Sequence, residues 1–273
     1  SITKSNQLLF LYMVLLMLKG ECIMGIMYTF DDTSDEIISP KNVISEIDNF
    51  PELIISVFSQ KFNDLLLNTV EVNQIDEMTG GRNIPIYKFT YGEKEIGFYH
   101  TLLGGSASGA LLEEVIAKGG KKILFFGSCG SLDKEITAGH LIIPVEAYRD
   151  EGTSYHYAPA SDYIKIRSAE KLSQIFSLLK IPYIKAKTWT TDSFYRETQK
   201  NAEARKNDGC KVVEMECASI MAVGQFRGID VYQFLYAADC LDESVWDKRI
   251  LGNMPNTMRE KLLKIALETA IRL

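Results

Sequence analysis

Two carboxylates, Glu214 and Glu216, stand two residues apart in the stretch Val212-Val213-Glu214-Met215-Glu216-Cys217-Ala218, and small and apolar residues follow as far as Val223. The pattern reads as a buried strand turning into a buried helix, with both acids planted at the turn. A buried carboxylate is costly unless a charged or hydrogen-bonding group meets it. Two chemistries meet that need. The plainer is a helix start, where an acid favours the positive end of the helix dipole. The sharper is a pair of acceptors gripping the vicinal hydroxyls of a sugar, because an ionised carboxylate is acceptor-only and suits two adjacent O–H donors.

Other residues with chemical potential also sit at the ends of apolar runs. Gly127-Ser128-Cys129-Gly130 follows the strand-like Lys121–Phe126, and a glycine-rich turn offers backbone amides to an anion. Ser59-Gln60-Lys61 opens a helix after the apolar run Leu53–Phe58, which makes a ready anion site to which Lys61 adds charge. Gly104-Gly105-Ser106-Ala107-Ser108-Gly109 opens another helix, and its small residues permit close approach of backbone to a ligand. The polar segment Tyr148–Tyr157, which carries Arg149 and His156, reads as a site wall or as a solvated loop. Thr190-Thr191-Asp192-Ser193-Phe194-Tyr195 follows the strand-like Ile184–Trp189. Asp239 ends the run Ile229–Ala237, where an acid reads as a strand-end cap or ion-pair partner.

The elements that must position these residues alternate. Strands are expected at Leu53–Phe58, Val70–Ile75, Ile84–Tyr91, Ile96–Leu103, Lys121–Phe126, Leu141–Pro144, Ile184–Trp189 and Ile229–Ala237. Helices are expected from Gly104 to about Lys118, from an N-capping Ser168 to Leu179, over Glu197–Lys206, Cys217–Phe226 and Thr257–Arg272. Alternation of this kind predicts an α/β fold with a mostly parallel or mixed sheet and ligands at the carboxyl ends of strands. Residues 51–273 read as a single domain, without internal repeat or linker, behind an extension over residues 1–50.

The bulk composition narrows the class. A chain of 273 residues with 46% hydrophobic and 24% charged residues buries a sizeable core. The formal net charge of −6 argues against a nucleic-acid or anionic-membrane surface. Five cysteines, Cys22, Cys129, Cys210, Cys217 and Cys240, form no metal-type cluster and read as free thiols of a cytoplasmic protein. The apolar run Leu8–Leu18 is too short to span a bilayer, so no stable membrane association is expected. It reads as an extension upstream of a conventional start near Met24 or Met27.

Taken in order, these motifs resemble the nucleoside phosphorylase family of uridine phosphorylases, hexameric purine nucleoside phosphorylases and adenosylhomocysteine-type nucleosidases. The resemblance rests on Gly104-Gly105, Gly127-Ser128-Cys129-Gly130, Ala138-Gly139-His140-Leu141-Ile142-Ile143-Pro144, Thr190-Thr191-Asp192-Ser193-Phe194, Glu214-Met215-Glu216 and Ala238-Asp239, and it runs from about Leu53 to the C-terminus. Gly152-Thr153-Ser154-Tyr155-His156-Tyr157-Ala158-Pro159 is most similar to the uridine-phosphorylase branch. The resemblance implies a three-layer α/β/α sandwich around a mixed central sheet, assembled as a homodimer or a trimer of dimers. It implies phosphorolysis of a nucleoside, with inorganic phosphate as co-substrate and no further cofactor or metal. In that reading Glu216 holds the ribose hydroxyls, Met215 packs on the sugar face and Glu214 supports from behind. Gly127 and Ser128 hold phosphate, Phe194 stacks on the base beside Tyr195, and Asp239 protonates a leaving purine.

The chain departs from the family pattern where the anion should sit. Phe125-Phe126 stands at the usual arginine of the strand, and Ser59-Gln60-Lys61 replaces a glycine–aspartate loop that brings a second arginine. Lys61, Arg149 and the Arg82 of a neighbouring subunit are the expected substitutes. The glutamine–arginine pair that reads uracil is out of register, leaving Arg196, Gln199 or Lys200, with His156 as a further wall residue. Three functions stay open: a phosphorylase, a nucleosidase using water on the same scaffold, and a nucleoside-binding protein without turnover. The base is open too, since Gly152–Pro159 leans pyrimidine and Asp239 leans purine.

Overall fold

The structure is a computed structural model that describes residues 25–79, 82–242 and 245–273; the apolar run Leu8–Leu18 and Cys22 lie outside the described residues. The core begins with β1 (Leu53–Val57), a strand buried on both faces, which feeds α1 (Gln60–Thr69). A meander follows: β2 (Asn73–Thr79), β3 (Asn83–Tyr91) and β4 (Lys94–His100). Then come α2 (Gly105–Lys118), β5 (Lys122–Ser131), β6 (Leu141–Asp150), β7 (Tyr163–Lys165), α3 (Ala169–Leu178) and β8 (Ile184–Thr191). The chain closes with α4 (Gln199–Asn207), β9 (Cys210–Glu214), α5 (Cys217–Arg227), β10 (Asp230–Cys240) and α6 (Asn256–Ala270).

The strands make one mixed sheet in the order β10-β6-β8-β9-β5-β1-β4-β3-β2, with β7 on β6. β10 pairs with β5 as well as with β6, so five strands close into a ring while β1, β4, β3 and β2 extend from it as a flange. Closure removes exposed strand edges at that end of the sheet. Cys129, Ile142, Ala186, Val212, Leu235 and Ala237, drawn from all five ring strands, pack together with Ile136 as a small separate core. Helices cover the two faces. On β10, Val231 meets Gly224 of α5, whereas Phe234 on the opposite face packs at 5.4 Å on Phe176 of α3 and stacks at 5.2 Å on Phe126. Phe62 of α1 joins the latter face, edge-on to Phe126 at 4.9 Å.

Several boundaries differ from the sequence expectation for identifiable reasons. The Gly127–Gly130 stretch is strand rather than turn, because β5 continues through it in parallel register with β10 and then pairs antiparallel with β9. Its glycines serve packing: a Cβ on Gly127 would lie 2.8 Å from the Phe58 ring. Val70 closes α1, so the strand after it starts only at Asn73. β6 runs on to Asp150 and absorbs the first part of the polar segment. Ser168 does not cap α3 with its side chain, since its hydroxyl donates instead to the Val231 carbonyl at 2.5 Å.

Ahead of β1, the chain crosses the α2–α5 pair. Arg227 binds Glu113 through Nε at 2.7 Å and Glu36 through Nη2 at 2.6 Å, which ties the approach segment to both helices. The four described cysteines are free and buried. Among the described residues no helix is long and apolar enough to cross a membrane.

α2 meets α5 closely at Gly105, where a Cβ would fall 2.1 Å from Ser219 Oγ and 2.9 Å from Ser219 Cβ. Gly105→Ala is therefore expected to push the helices apart and destabilise the chain by about 2 kcal/mol. Urea unfolding midpoints of the variant and the parent chain measure it; an unchanged midpoint would mean that the contact is slack.

Candidate active site

The β9–α5 corner is built around Glu214. Both faces of β9 are covered, so this carboxylate arrives buried, and every direction in which it can accept is occupied. Oε2 accepts the Glu216 amide at 2.8 Å and the Cys217 amide at 2.6 Å, while Oε1 accepts Thr190 Oγ1 at 2.6 Å and Thr188 Oγ1 at 3.1 Å. Glu214 thus satisfies the orphan amides at the start of α5, which is the helix-start chemistry. With four donors on two oxygens it has no acceptor left for a sugar, and its place is framework rather than ribose contact. Burial pushes its pKa up, against the pull of Thr190, the two amides and Thr188.

Glu216 is different. It is 6% exposed, and its Oε1 accepts the Gly104 amide at 2.7 Å. Gly104 has φ +90°, a left-handed conformation that glycine adopts without strain, and this turns its N–H towards the corner. The carboxyl therefore sits where the β4–α2 loop meets the β9–α5 corner. Its pKa is raised to about 8, first by burial and then by the Glu214 charge, with the Gly104 and Met215 amides opposing. Met215 lies half-buried between the two acids.

Asp239 approaches the same region from β10. The register against β5 slips between Ala237 and Asp239, and a bulge of this kind re-aims the side chain. Asp239 Oδ1 lies 3.4 Å from where a Cβ on Gly130 would stand, so the glycine at that position clears the carboxylate. Burial raises its pKa, opposed first by the Trp246 indole, whose Nε1 donates to Oδ2 at 2.7 Å, and then by Arg249. Backbone bonds between Cys240 and Asp247 hold Trp246 beside the acid. Cys129 lies within the fields of Glu214 and Asp239, and burial plus both charges push its thiol well up, so it stays protonated. Glu197 has a pKa of about 7, raised by burial and by Asp239. The sequence signals for Trp246 and Glu197 are weak: one lone aromatic in a polar loop, and one acid in a charged helix start.

The remaining sequence-derived candidates separate. The Phe194 and Tyr195 rings lie against each other, tilted by 39° with centroids 4.0 Å apart, and are 49% and 87% exposed, forming an aromatic rim past the end of β8. Gln199 is an exposed residue at the start of α4. His156 lines a cavity of about 640 Å³ beneath the approach segment, with Asp31, Glu113 and Arg227. Arg82 is exposed beside the β2–β3 turn.

Arg149 is a correction. Its guanidinium is 4% exposed and donates to Ser154 Oγ at 2.8 Å and to the carbonyls of Pro159 and Ala158 at 2.7 and 3.1 Å. It holds its own loop in shape, so it is not available to an anion. Glu151 belongs to the same lock, accepting the Ser154 amide at 2.9 Å and Ser219 Oγ at 2.5 Å.

The anion corner divides across β5. Alternation along a strand sends Phe125 and Ser128 to opposite faces. On the Phe125 side, Phe58 stacks on that ring at 5.8 Å, giving an apolar wall. On the Ser128 side, a cavity of about 340 Å³ is lined by Ser128 and Lys61 among others. Among the described residues no cluster of His, Cys, Asp and Glu is arranged to hold a metal.

The chain and its fold have counterparts among known proteins. The chain belongs to the Phosphorylase superfamily, whose sequence pattern it matches over residues 53–270. It is 32% identical over 180 residues to a purine nucleoside phosphorylase of Plasmodium vivax, an alignment covering 62% of this chain and 71% of that protein. Among solved structures it is similar to a purine nucleoside phosphorylase of Toxoplasma gondii in complex with immucillin-H, with a TM-score of 0.69 and 20% identity, covering 89% of this chain and 99% of that one. It is also similar to an AMP nucleosidase of Bacteroides thetaiotaomicron, with a TM-score of 0.68 and 16% identity, covering 85% and 96%. At these identities the structural likenesses establish the fold, and they span phosphorolytic and hydrolytic proteins alike.

Removing the framework acid should unmake the corner. Glu214→Ala leaves two backbone amides and two threonine hydroxyls buried without their acceptor, an expected loss of on the order of 3 kcal/mol or more. Chemical unfolding reads it, and a loss under about 0.5 kcal/mol would contradict the four-bond role.

Proposed function

We propose that this member of the superfamily is an enzyme that cleaves the N-glycosidic bond of a purine ribonucleoside, with phosphate as the acceptor of the sugar. The observation that carries the reading is the Glu216 carboxyl, buried and held by the Gly104 amide where two loops converge. A carboxyl in that setting, without a cationic partner among the described residues, suits hydroxyl donors from a ribose. Met215 beside it offers an apolar surface to the sugar, and the Phe194–Tyr195 rim supports stacking on a base.

In the proposed reaction the C1′–N bond breaks and its electron pair leaves with the base, which takes up a proton. A phosphate oxygen then forms the C1′–O bond, giving free base and pentose 1-phosphate. The sugar passes through an oxocarbenium-like state, and nearby negative charge stabilises it more than the ground state. Asp239, with its pKa raised by burial and its orientation fixed by Trp246, suits delivery of the proton to the base. The purine preference is supported by this acid and by the purine nucleoside phosphorylase relative.

Hydrolysis is the second reading, and the Phe58–Phe125 wall favours it. A dry aromatic face provides no cation for an oxyanion, whereas water needs none. Inosine, adenosine, uridine and thymidine, each assayed with and without phosphate, discriminate the readings. Phosphate-dependent release of hypoxanthine or adenine is expected. Release that ignores phosphate would establish a nucleosidase, and binding without release a nucleoside-binding protein.

The raised pKa of Glu216 gives a pH signature. Its folded pKa of about 8 lies above the ordinary 4.5, so the free site is protonated at pH 6 and ionised above pH 8. Ribose hydroxyls donate to the ionised form. KM for ribonucleosides should therefore fall with rising pH by up to about tenfold per unit between pH 6 and 8, and less for 2′-deoxynucleosides. Glu216→Gln should flatten that slope and impair ribonucleosides more than 2′-deoxynucleosides. For stability the sign is opposite: the folded chain binds more protons than the unfolded one across this window, so Glu216 costs stability as pH rises from 4.5 through 8. Equal losses for both sugars on substitution would remove Glu216 from the hydroxyl-gripping role.

A further inference from the structure

Glu197 is a half-buried acid beside the site with no part in the proposed reaction. It follows the turn Phe194–Arg196, which carries the aromatic rim past the end of β8, and its amide donates back to the Phe194 carbonyl at 3.2 Å. Thr198, directly after it, caps α4 by accepting the Asn201 amide at 3.4 Å. The backbone of Glu197 is therefore held on both sides, by a closed turn and by a capped helix. Its carboxyl is not paired in the same way. Neither Glu197 nor Asp239 forms an ion pair among the described residues.

Strand pairing brings this acid towards Asp239. Thr190 of β8 stands beside Glu214 of β9, Val213 beside Gly130 of β5, and Gly130 beside Asp239 of β10. The ends of four strands thus lie side by side, and the turn that leads to Glu197 leaves from the first of them. A second tie closes the same gap: Lys206 of α4 pairs with Asp242, shortly past Asp239, and the Lys134 amide donates to Asp242 at 3.0 Å. The two carboxyls share one field, and Asp239 adds to burial in raising Glu197 to a pKa of about 7. Arg249, whose charge also reaches Asp239, is turned to Asp247 at 3.2 Å and to the Ile136 carbonyl at 2.5 Å.

Two carboxyls in one field without a cation between them ionise one at a time, so near neutral pH one donates a proton and the other accepts. Purines differ in what they present to such a pair. Along the edge that carries N7, a 6-aminopurine offers N7 as an acceptor and the 6-amino group as a donor, whereas a 6-oxopurine offers two acceptors. A donor–acceptor pair of carboxyls matches the first. Against the second, one carboxylate is left facing the lone pairs of O6. We propose that Glu197 reads the 6-position of the base, accepting from a 6-amino group while Asp239 donates to N7, and so selects adenine nucleosides over hypoxanthine ones. This rests on the base lying at Asp239, as in the proposed reaction. Glu197 is then a specificity residue and takes no part in breaking the bond.

Calorimetric titration of the full chain with adenine, hypoxanthine and unsubstituted purine tests the assignment, alongside kcat/KM for adenosine and inosine with phosphate present. The parent chain is expected to bind adenine about tenfold or more tighter than hypoxanthine. Glu197→Gln should largely remove that preference, because its amide donates to a 6-oxo group as readily as it accepts from a 6-amino group. Glu197→Ala should make adenine and purine bind alike, since only the 6-amino contact is lost; a residue that merely shaped the turn would weaken both together. An adenine preference that persists in both variants would overturn the proposal, as would equal binding of adenine and hypoxanthine by the parent chain, and continued release of base in either case would leave the glycosidic reading standing. Selectivity that shifts as expected without any turnover would keep Glu197 in this role and remove the enzyme reading. No binding of any base, with no turnover, would overturn both. Glu197 is half-buried at a turn, so both variants are expected to fold.

Discussion

The site depends on one buried carboxylate being fully satisfied. Glu214 joins three elements through four hydrogen bonds: two hydroxyls of β8, and two amides at the start of α5 that follow directly from β9. An unsatisfied charge there would be prohibitive, so the corner has little freedom in how it turns. The turn it must make carries the chain on to Glu216, whose carboxyl then projects towards the Gly104 amide. The two acids do different work although they are the same residue type two positions apart. One has its donors supplied by the fold. The other accepts the Gly104 amide, and its burial, followed by the charge of the first, lifts its pKa.

The same economy governs the rest of the polar inventory. Arg149, Glu151, Ser154 and Ser219 form a closed set that locks the loop after β6 against α5 and, through Gly105, against α2. Their polarity is spent on packing backbone, so charge density in a segment does not by itself mark a binding wall. Lys61 and Arg259 show the converse: each is bonded to neutral acceptors, and neither forms an ion pair among the described residues. Asp239 lies between these extremes, anchored by an indole N–H that orients it without neutralising it.

The closed ring of strands explains how distant segments meet. Because β10 pairs with β5 along most of its length, the ends of the two strands bring Ser128, Cys129, Gly130 and Asp239 into one neighbourhood. β9 inserts beside Gly130 and delivers the acidic corner. Alternation along β5 then separates the face where Phe58 covers Phe125 from the face of Ser128, whose cavity opens onto α1 and α6.

The chain by itself determined the alternating elements, the α/β class, the family and the strand-to-helix corner with its two acids, because periodicity, glycine placement and motif order are local properties. Pairing partners are not local, and only the tertiary structure decided which acid is framework and which is free, since that turns on Thr188 and Thr190 of a strand some two dozen residues earlier. It also decided that Gly127–Gly130 is strand, because the pairing with β10 outweighs the turn preference of its glycines. Arg149 looked available to an anion and is consumed by loop carbonyls, whereas Arg259 looked like a helix residue and lines the cavity on the Ser128 face. In each case the sequence carries the residue type, while the cost of burying a polar group without a partner decides its use, and that cost is set by neighbours distant in the chain.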